Sequence, residues 1–183
     1  MAAKLFVFAN ILIVYFCFQI RLTTAERKYW IQTTSMDEFE FNPDYLAFDK
    51  CKVSKLNKTL NVVKCKGSLV QEFPSDAICR MKCYQNQGGG KYGEGPVQIP
   101  PMNCCEFFDQ DEVIWPSLLK SSNFPKKCPF SKQNFEVKSF NINDANLPDT
   151  LPDPDEWYIQ LTAVDKDEKI IFKGNFYGTI NRL

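Results

Sequence analysis

The stretch that decides the fold lies near the carboxyl end and consists of WYIQLTAV (157–164), DKDEK (165–169) and IIFKGNFYGTI (170–180). Side chains of a strand point alternately to its two faces, so Trp157, Ile159 and Leu161 share one face of the first run. Phe172 and Phe176 share one face of the second. The linker between the runs is too charged to lie in a core. The pattern predicts a β-hairpin with one apolar and one polar face, as is common in antiparallel sheets.

Two glycines, Gly174 and Gly178, lie on the apolar face of this hairpin, and Gly67 has the same setting in an earlier predicted strand. Glycine packs nothing within a strand and weakens it. One interpretation is a bulge, a tight bend or the close approach of another element. The other is that the inner face is left under-filled, so that a ligand has room. The sequence leaves both interpretations open.

Composition limits the possible functions. The chain has 183 residues, enough for one domain with a substantial core, and its 22 basic residues balance its 22 acidic ones. This balance gives no indication of nucleic acid as a partner. There is no histidine, which excludes Ser-His and Cys-His nucleophiles and histidine-ligated metals. No acid–base pair stands out either, so we predict no catalytic residue, no metal and no cofactor.

The amino terminus has the features of a secretory signal peptide. Lys4 precedes an almost unbroken apolar run from Leu5 to Ile20, and small residues before Glu26 suit cleavage after Ala25. A retained membrane anchor is the alternative, although the run is short for a bilayer span. We therefore expect a signal peptide at 1–25, a single extracellular domain at 26–183, and no stable membrane insertion after cleavage.

Eight cysteines fit an oxidising compartment. Cys17 leaves with the signal peptide, and the odd number that remains implies a free thiol or an intermolecular bridge. A hairpin is predicted from Tyr45–Leu56 and Leu60–Phe73, with a bulge between Phe48 and Cys51. Centring its turn on Lys58 puts Cys51 opposite Cys65, which makes a cross-strand disulfide plausible. Two buried free thiols are the alternative.

The tip of the same hairpin carries Asn57-Lys58-Thr59, an N-glycosylation sequon. An exposed hairpin tip in a secreted protein is a suitable place for a glycan. We therefore predict that Asn57 is glycosylated.

The remaining chain adds further strands and one helical segment. Ile78–Tyr84 is a predicted strand, and the glycine-rich residues 87–96 are predicted to form a flexible loop. Asn103, followed by Glu106, is a capping-box-like helix start, and helical spacing continues to Lys120. The alternation slips once between Phe135 and Ile142, which indicates another bulge or a strand buried on both sides. We expect seven or eight antiparallel strands with one short helical segment.

The order of motifs resembles a known family. The motifs are, in chain order, Cys104-Cys105-Glu106-Phe107, Asn123-Phe124-Pro125, Cys128-Pro129-Phe130, the strand from Phe135 to Ile142, and Leu147-Pro148 with Leu151-Pro152 before Trp157. This order is similar to that of the insect CheB chemosensory proteins, within the ganglioside-activator-like (ML-type) lipid-recognition superfamily. The resemblance is best from Cys104 to Ile180.

The resemblance implies a mainly β fold, an immunoglobulin-like antiparallel β-sandwich or β-cup with an apolar cavity and one short helical segment. It also implies a disulfide from the helix to Cys128, for which Cys105 is our choice and Cys104 the rival. The expected function is non-enzymatic binding of a lipid or cuticular hydrocarbon in a chemosensory or pheromone response, with a sensory receptor or channel as a possible partner.

We expect the apolar ligand to contact side chains from the helical segment and the later strands. These are Phe107, Phe108, Trp115, Leu119, Phe135, Trp157, Ile159, Leu161, Phe172, Gly174 and Phe176. Two other functions compete with this one: a secreted interaction domain with a filled core, and a secreted enzyme that acts on lipid.

The amino-terminal assignment has a direct test. We predict that the protein purified from the medium of secreting cells begins near Glu26, because the apolar run and the small residues before it suit signal peptidase. Intact-mass and amino-terminal peptide analysis measure this. Extracellular protein that retains Met1 contradicts the prediction.

Overall fold

The computed structural model describes residues 29–142, 147 and 151–182, so the predicted signal peptide lies outside the described residues. Within these ranges the chain forms eight strands and two short helices. In chain order they are β1 (Tyr29–Phe41), β2 (Leu46–Lys55), β3 (Asn61–Leu69), β4 (Ile78–Asn86), β5 (Tyr92–Asn103), α1 (Cys104–Gln110), α2 (Ile114–Ser121), β6 (Gln133–Phe140), β7 (Glu156–Val164) and β8 (Ile170–Arg182).

The strands form two antiparallel sheets. The larger sheet has the order β1-β8-β7-β4-β5, and the smaller has the order β2-β3-β6. Buried apolar side chains of both sheets belong to one core, for example Leu46 and Leu69 of the smaller sheet and Met81 and Ala163 of the larger. The fold is mainly β with few helical residues, which agrees with the predicted β-sandwich.

The hairpin that decides the fold forms as predicted. β7 and β8 pair so that Ile159 is opposite Phe176 and Leu161 is opposite Gly174. The amide of Asp165 donates to the carbonyl of Lys169 at 2.9 Å and closes the turn. The Asp165 carboxylate in turn accepts hydrogen bonds from the amides of Asp167 and Lys169. The charged linker therefore supplies hydrogen-bond acceptors for the backbone amides of its own turn.

The amino-terminal hairpin also has the predicted register. Cys51 pairs with Cys65, and the bulge falls between Phe48 and Lys50. The two sulfurs are 2.05 Å apart, so the Cys51–Cys65 disulfide is confirmed. β3 pairs with β6 on its other side, with an irregularity where the β6 alternation was predicted to slip. The irregularity lies opposite the step from Val63 to Cys65.

Two further disulfides hold α1 in place. Cys105 is bonded to Cys128, as we chose from the resemblance, and Cys104 is bonded to Cys79 of β4. The Asn103 side chain caps α1 by accepting hydrogen bonds from the amides of Cys105 at 2.8 Å and Glu106 at 3.4 Å. Adjacent cysteines on one helical turn thus bond in two directions, toward the larger sheet and toward the segment before β6.

Two assignments need correction. Residues 87–96 were expected to be a loop, but β5 begins at Tyr92 and pairs with β4. Its prolines lack an amide hydrogen and are tolerated because β5 is an edge strand, with no neighbouring strand on its outer side. The predicted single helical segment is two helices, because the Asp111 carboxylate accepts hydrogen bonds from the amides of Val113 and Ile114 and starts a new helix.

No helix in the described ranges is long and apolar enough to cross a bilayer.

Gly67 allows the backbones of β2 and β3 and a ring of β6 to come unusually close. A Cβ atom at Gly67 would lie 2.4 Å from the carbonyl oxygen of Ala47 and 2.9 Å from the Cζ atom of Phe135. The carbonyl oxygen of Ala47 cannot move aside without disrupting the hydrogen bonds between β2 and β3. At this position the structure favours close approach over an under-filled face.

We predict that Gly67→Ala lowers the free energy of unfolding by about 2 kcal/mol, within the range for over-packed cores. Gly178→Ala is the matched control, because its Cβ would have only ordinary contacts, the nearest being 3.4 Å from the Gln32 carbonyl oxygen. Urea unfolding of both variants measures the difference. Equal stability of the two variants would show that the approach at Gly67 does not constrain the fold.

Candidate functional site

A pocket of about 220 Å³ lies between the two sheets. β1, β2, β3, β4, β6, β7 and β8 all contribute side chains to its wall, and so do both helices. Phe108 of α1 and Ile114, Trp115 and Leu118 of α2 line the helical side. β5 contributes no lining residue. The wall is therefore built by the inner faces of both sheets and by the helices, and connecting segments add Phe73, Phe124, Phe130 and Ile142.

The wall is almost wholly apolar. In the part of the chain that the structure describes, the lining side chains are aromatic, aliphatic or sulfur-containing, apart from Thr33. The Cys51–Cys65 disulfide forms part of the wall. Among residues 29–142, 147 and 151–182, no carboxylate, lysine or arginine lines the pocket. The pocket can therefore hold an apolar molecule, but it offers no charged group to bind one.

Aromatic rings of the wall pack against one another at two places. Near the helices, Trp115 packs on Phe108 at 4.5 Å and on Phe130 at 5.1 Å between ring centroids. Between the sheets, Phe48 of β2 meets Phe39 of β1 at 6.4 Å and Phe172 of β8 at 6.2 Å. These are ordinary tilted aromatic contacts. The contacts of Phe48 connect the smaller sheet to the larger.

Seven of the predicted ligand-contacting residues line this pocket. They are Phe108, Trp115, Phe135, Ile159, Leu161, Phe172 and Phe176. They come from both helices and from three strands, so residues far apart in sequence lie around one space.

Four predicted ligand-contacting residues lie elsewhere. Phe107 is buried behind Phe108, with ring centroids 5.4 Å apart. On α2 the residue one turn after Ile114 is Leu118, so Leu118 rather than Leu119 lines the pocket. Trp157 packs against Gly95 of β5, and its indole nitrogen donates to the carbonyl of Pro154.

Gly174 is the fourth, and it does not leave space. A Cβ atom there would lie 3.0 Å from the Phe172 ring and 3.1 Å from the Phe39 ring. Phe39 comes from β1 and covers the glycine between Phe172 and Phe176, whose ring centroids lie 6.0 and 5.8 Å from its own. The under-filled interpretation is therefore wrong at Gly174, where the glycine accommodates another element.

Sequence reasoning missed most of the wall contributed by the first half of the chain. Met36, Phe39, Phe48, Val63 and Met81 all line the pocket. Period-two alternation does place Val63 and Met81 on apolar strand faces. Alternation does not say which sheet faces which, so these residues could not be assigned to one site from the sequence.

The remaining cysteine, Cys83, is buried in β4 and has no disulfide partner. It does not line the pocket. Burial disfavours the thiolate and raises the pKa of Cys83 from 9.0 to about 11. Such a thiol is a poor nucleophile at neutral pH.

Across the described residues, no group of three or more histidines, cysteines or carboxylates is placed to hold a metal ion.

The sequon lies where the sequence put it, at the exposed tip between β2 and β3. The Asn57 side-chain oxygen accepts hydrogen bonds from the amides of Thr59 at 2.9 Å and Leu60 at 2.8 Å. Glycosylation of Asn57 stays a prediction.

Comparison with models of protein families gives a match over part of the chain. A protein family described as a protein of unknown function (DUF1091) matches residues 79–155. This domain is the one found in ML-type (MD-2-related lipid-recognition) proteins. The matched segment contains β4 from its second residue, β5, both helices and β6, and with them the disulfides Cys79–Cys104 and Cys105–Cys128. None of the curated proteins matches the sequence.

The buried thiol generates a pH prediction. The folded protein holds the Cys83 proton more tightly than the unfolded chain, so its contribution to stability is complete below the unfolded pKa of 9.0 and is lost as the pH rises toward about 11. We expect a loss of about 2 kcal/mol over this interval. Urea unfolding at several pH values measures it.

Cys83→Ala is the comparison for this experiment. The variant lacks the titrating thiol, so its stability should fall less steeply between pH 9 and 11 than that of the wild type. Identical pH profiles for the two proteins would mean that the Cys83 thiol does not govern the alkaline loss.

Proposed function

We propose that this protein binds an apolar ligand in the pocket between its sheets and acts as a carrier rather than an enzyme. The observation that carries the proposal is a wall, built largely from the inner faces of both sheets, to which the described residues contribute no charged side chain. Ligand sites in proteins are mostly apolar clefts with a small number of placed polar groups. This wall has that composition.

The size of the pocket supports the proposal. Protein interiors are close-packed, and large voids are few. A cavity of about 150 Å³ lined by apolar side chains is enough to bind benzene. The pocket here is about 220 Å³. A space of this size costs dispersion contacts when it is empty, and an apolar guest restores them.

The partial exposure of side chains on the inner faces of the sheets also supports the carrier proposal. Ile159, Leu161, Phe172 and Phe176 lie between the sheets, yet each keeps part of its surface accessible. Removing such surface from water contributes roughly 25 cal/mol per Å². A bound chain that covers these side chains therefore gains affinity from the hydrophobic effect without any ion pair.

At a finer level, we propose an immunoglobulin-like sandwich of the ML lipid-recognition type with CheB-like function. The support is the DUF1091 match over residues 79–155 together with the order of the Cys-Pro and Leu-Pro motifs. We accordingly propose secretion, a lipid or hydrocarbon ligand, and a role in chemosensory or pheromone response that involves a sensory receptor or channel.

Uptake of a fluorescent apolar probe tests the proposal. We predict that the wild type binds the probe and that Leu161→Trp reduces binding by at least roughly tenfold, because the larger ring occupies space in the pocket and removes surface that a ligand would cover. Leu161 lines the pocket in the middle of β7. Fluorescence titration gives both dissociation constants.

Val97→Trp is the matched control. Val97 lies on the edge strand β5, is 47% exposed and does not line the pocket, so the same new ring should leave probe binding unchanged. Folding of both variants is checked by their unfolding midpoints. A wild type that takes up no probe would favour the filled-core interaction domain and overturn the carrier proposal.

A further inference from the structure

We infer that the outer face of the smaller sheet binds a linear sulfated polysaccharide through lysines of β2 and β3. We call this surface the lysine face. It consists of Lys50, Lys52, Lys64 and Lys66. The lysine face lies on the opposite side of the smaller sheet from the pocket, so it is a second site that does not depend on the apolar ligand.

The position of the lysine face follows from the disulfide beside it. Cys51 of β2 and Cys65 of β3 both line the pocket, and each lysine of the face is the immediate neighbour in sequence of one of these cysteines. Side chains of a strand alternate between its two faces, so the lysines project away from the pocket. All four lysines are exposed.

The register of β2 and β3 concentrates the four charges. Lys50 is paired with Lys66, and Lys52 is paired with Lys64. Opposed side chains of antiparallel strands begin about 5 Å apart, and successive side chains on one face of a strand begin about 7 Å apart. The four lysines therefore form one compact block. The chain as a whole has 22 basic and 22 acidic residues, so this block is a local concentration of charge.

Little of this charge is neutralised within the protein. Lys66 forms an ion pair with Glu136 of β6 at 3.1 Å, but the two side chains are 62% and 42% exposed, and such surface pairs contribute little. Within the described ranges the other three lysines form no ion pair, and neither does Asp49, the exposed residue in the adjacent bulge. Like charges directly opposite each other destabilise a pair of strands, and a bound polyanion relieves that repulsion.

The chemistry of the lysine face favours a sulfated chain over a membrane. The lysine ammonium is a compact point charge without the planar fork that pairs arginine with carboxylates. Stable attachment to a bilayer takes an apolar anchor as well as charge. The exposed large apolar side chains of the described residues are Phe41, Leu56 and Val97, and none of them belongs to β2, β3 or β6. A sulfated polysaccharide carries charge along its length and needs no such anchor.

Binding of a fluorescent heparin oligosaccharide, measured by anisotropy at several salt concentrations, tests the inference. We expect the wild type to bind it with an affinity that falls linearly with salt on a double-logarithmic plot, because the lysines release counterions from the polyanion. Lys52→Gln together with Lys64→Gln should weaken binding at least roughly tenfold at low salt and lower the slope by roughly 1.5, the share of two contacts. The unfolding midpoint of this double variant should not fall, because two opposed like charges have been removed.

Two further double variants make the result specific. Lys91→Gln together with Lys166→Gln removes the same charge from exposed positions before β5 and between β7 and β8, so it should bind heparin like the wild type. Lys52→Arg together with Lys64→Arg keeps the charge and should retain binding. Uptake of an apolar fluorescent probe should be the same in all these variants, since none of the substituted lysines lines the pocket.

The outcomes separate this inference from the proposed function. It is overturned by a wild type that does not bind heparin at low salt, by an equal loss of affinity in the two glutamine variants, or by equal binding of desulfated heparin. Binding to anionic phospholipid vesicles without binding to heparin also overturns it. All of these results leave the carrier proposal intact, because that proposal depends on probe uptake. A protein that binds heparin through the lysine face but takes up no apolar probe keeps this site and loses the carrier function.

Discussion

The architecture depends on how aromatic rings join the two sheets. Phe48 of the smaller sheet contacts Phe39 and Phe172 of the larger sheet, and it also packs on Phe135 of its own sheet at 5.8 Å. Rings are large and rigid, so they separate the sheets at one side while still holding them together. Phe39, Phe48, Phe135 and Phe172 all line the pocket, so the ring contacts that join the sheets are also part of its wall.

Three disulfides constrain elements that contribute to the wall of the pocket. Cys51–Cys65 fixes the register of β2 against β3, and the bonds of Cys104 and Cys105 attach α1 to β4 and to the segment before β6. In the usual account, such bonds stabilise mainly by restricting the unfolded chain. A fold that leaves apolar space unfilled gives up dispersion contacts, and three covalent links offset part of that loss. The helices they hold carry Phe108 and Trp115 into the wall.

Local pattern was enough to predict the parts of the fold that depend on neighbours in sequence. The β7–β8 hairpin, the Cys51–Cys65 register and the Asn103 cap follow from alternation, turn chemistry and cap preference. The contacts that escaped prediction are those between distant elements. The ring of Phe39 over Gly174 is separated from it by most of the chain, and no local signal links the two. The bond from Cys79 to Cys104 is of the same kind.

The edges of the larger sheet have a consequence for the behaviour of the protein in concentrated solution. β5, at one edge, contains Pro96, Pro100 and Pro101, which have no amide hydrogen to offer a neighbouring chain. β1, at the other edge, is interrupted between Thr33 and Ser35 and again between Asp37 and Glu40, where Glu38 has a φ of 51°. A strand of another molecule would meet no continuous row of free amide and carbonyl groups at either edge. A sheet rich in apolar side chains is thus protected from edge-to-edge aggregation by its own irregularities.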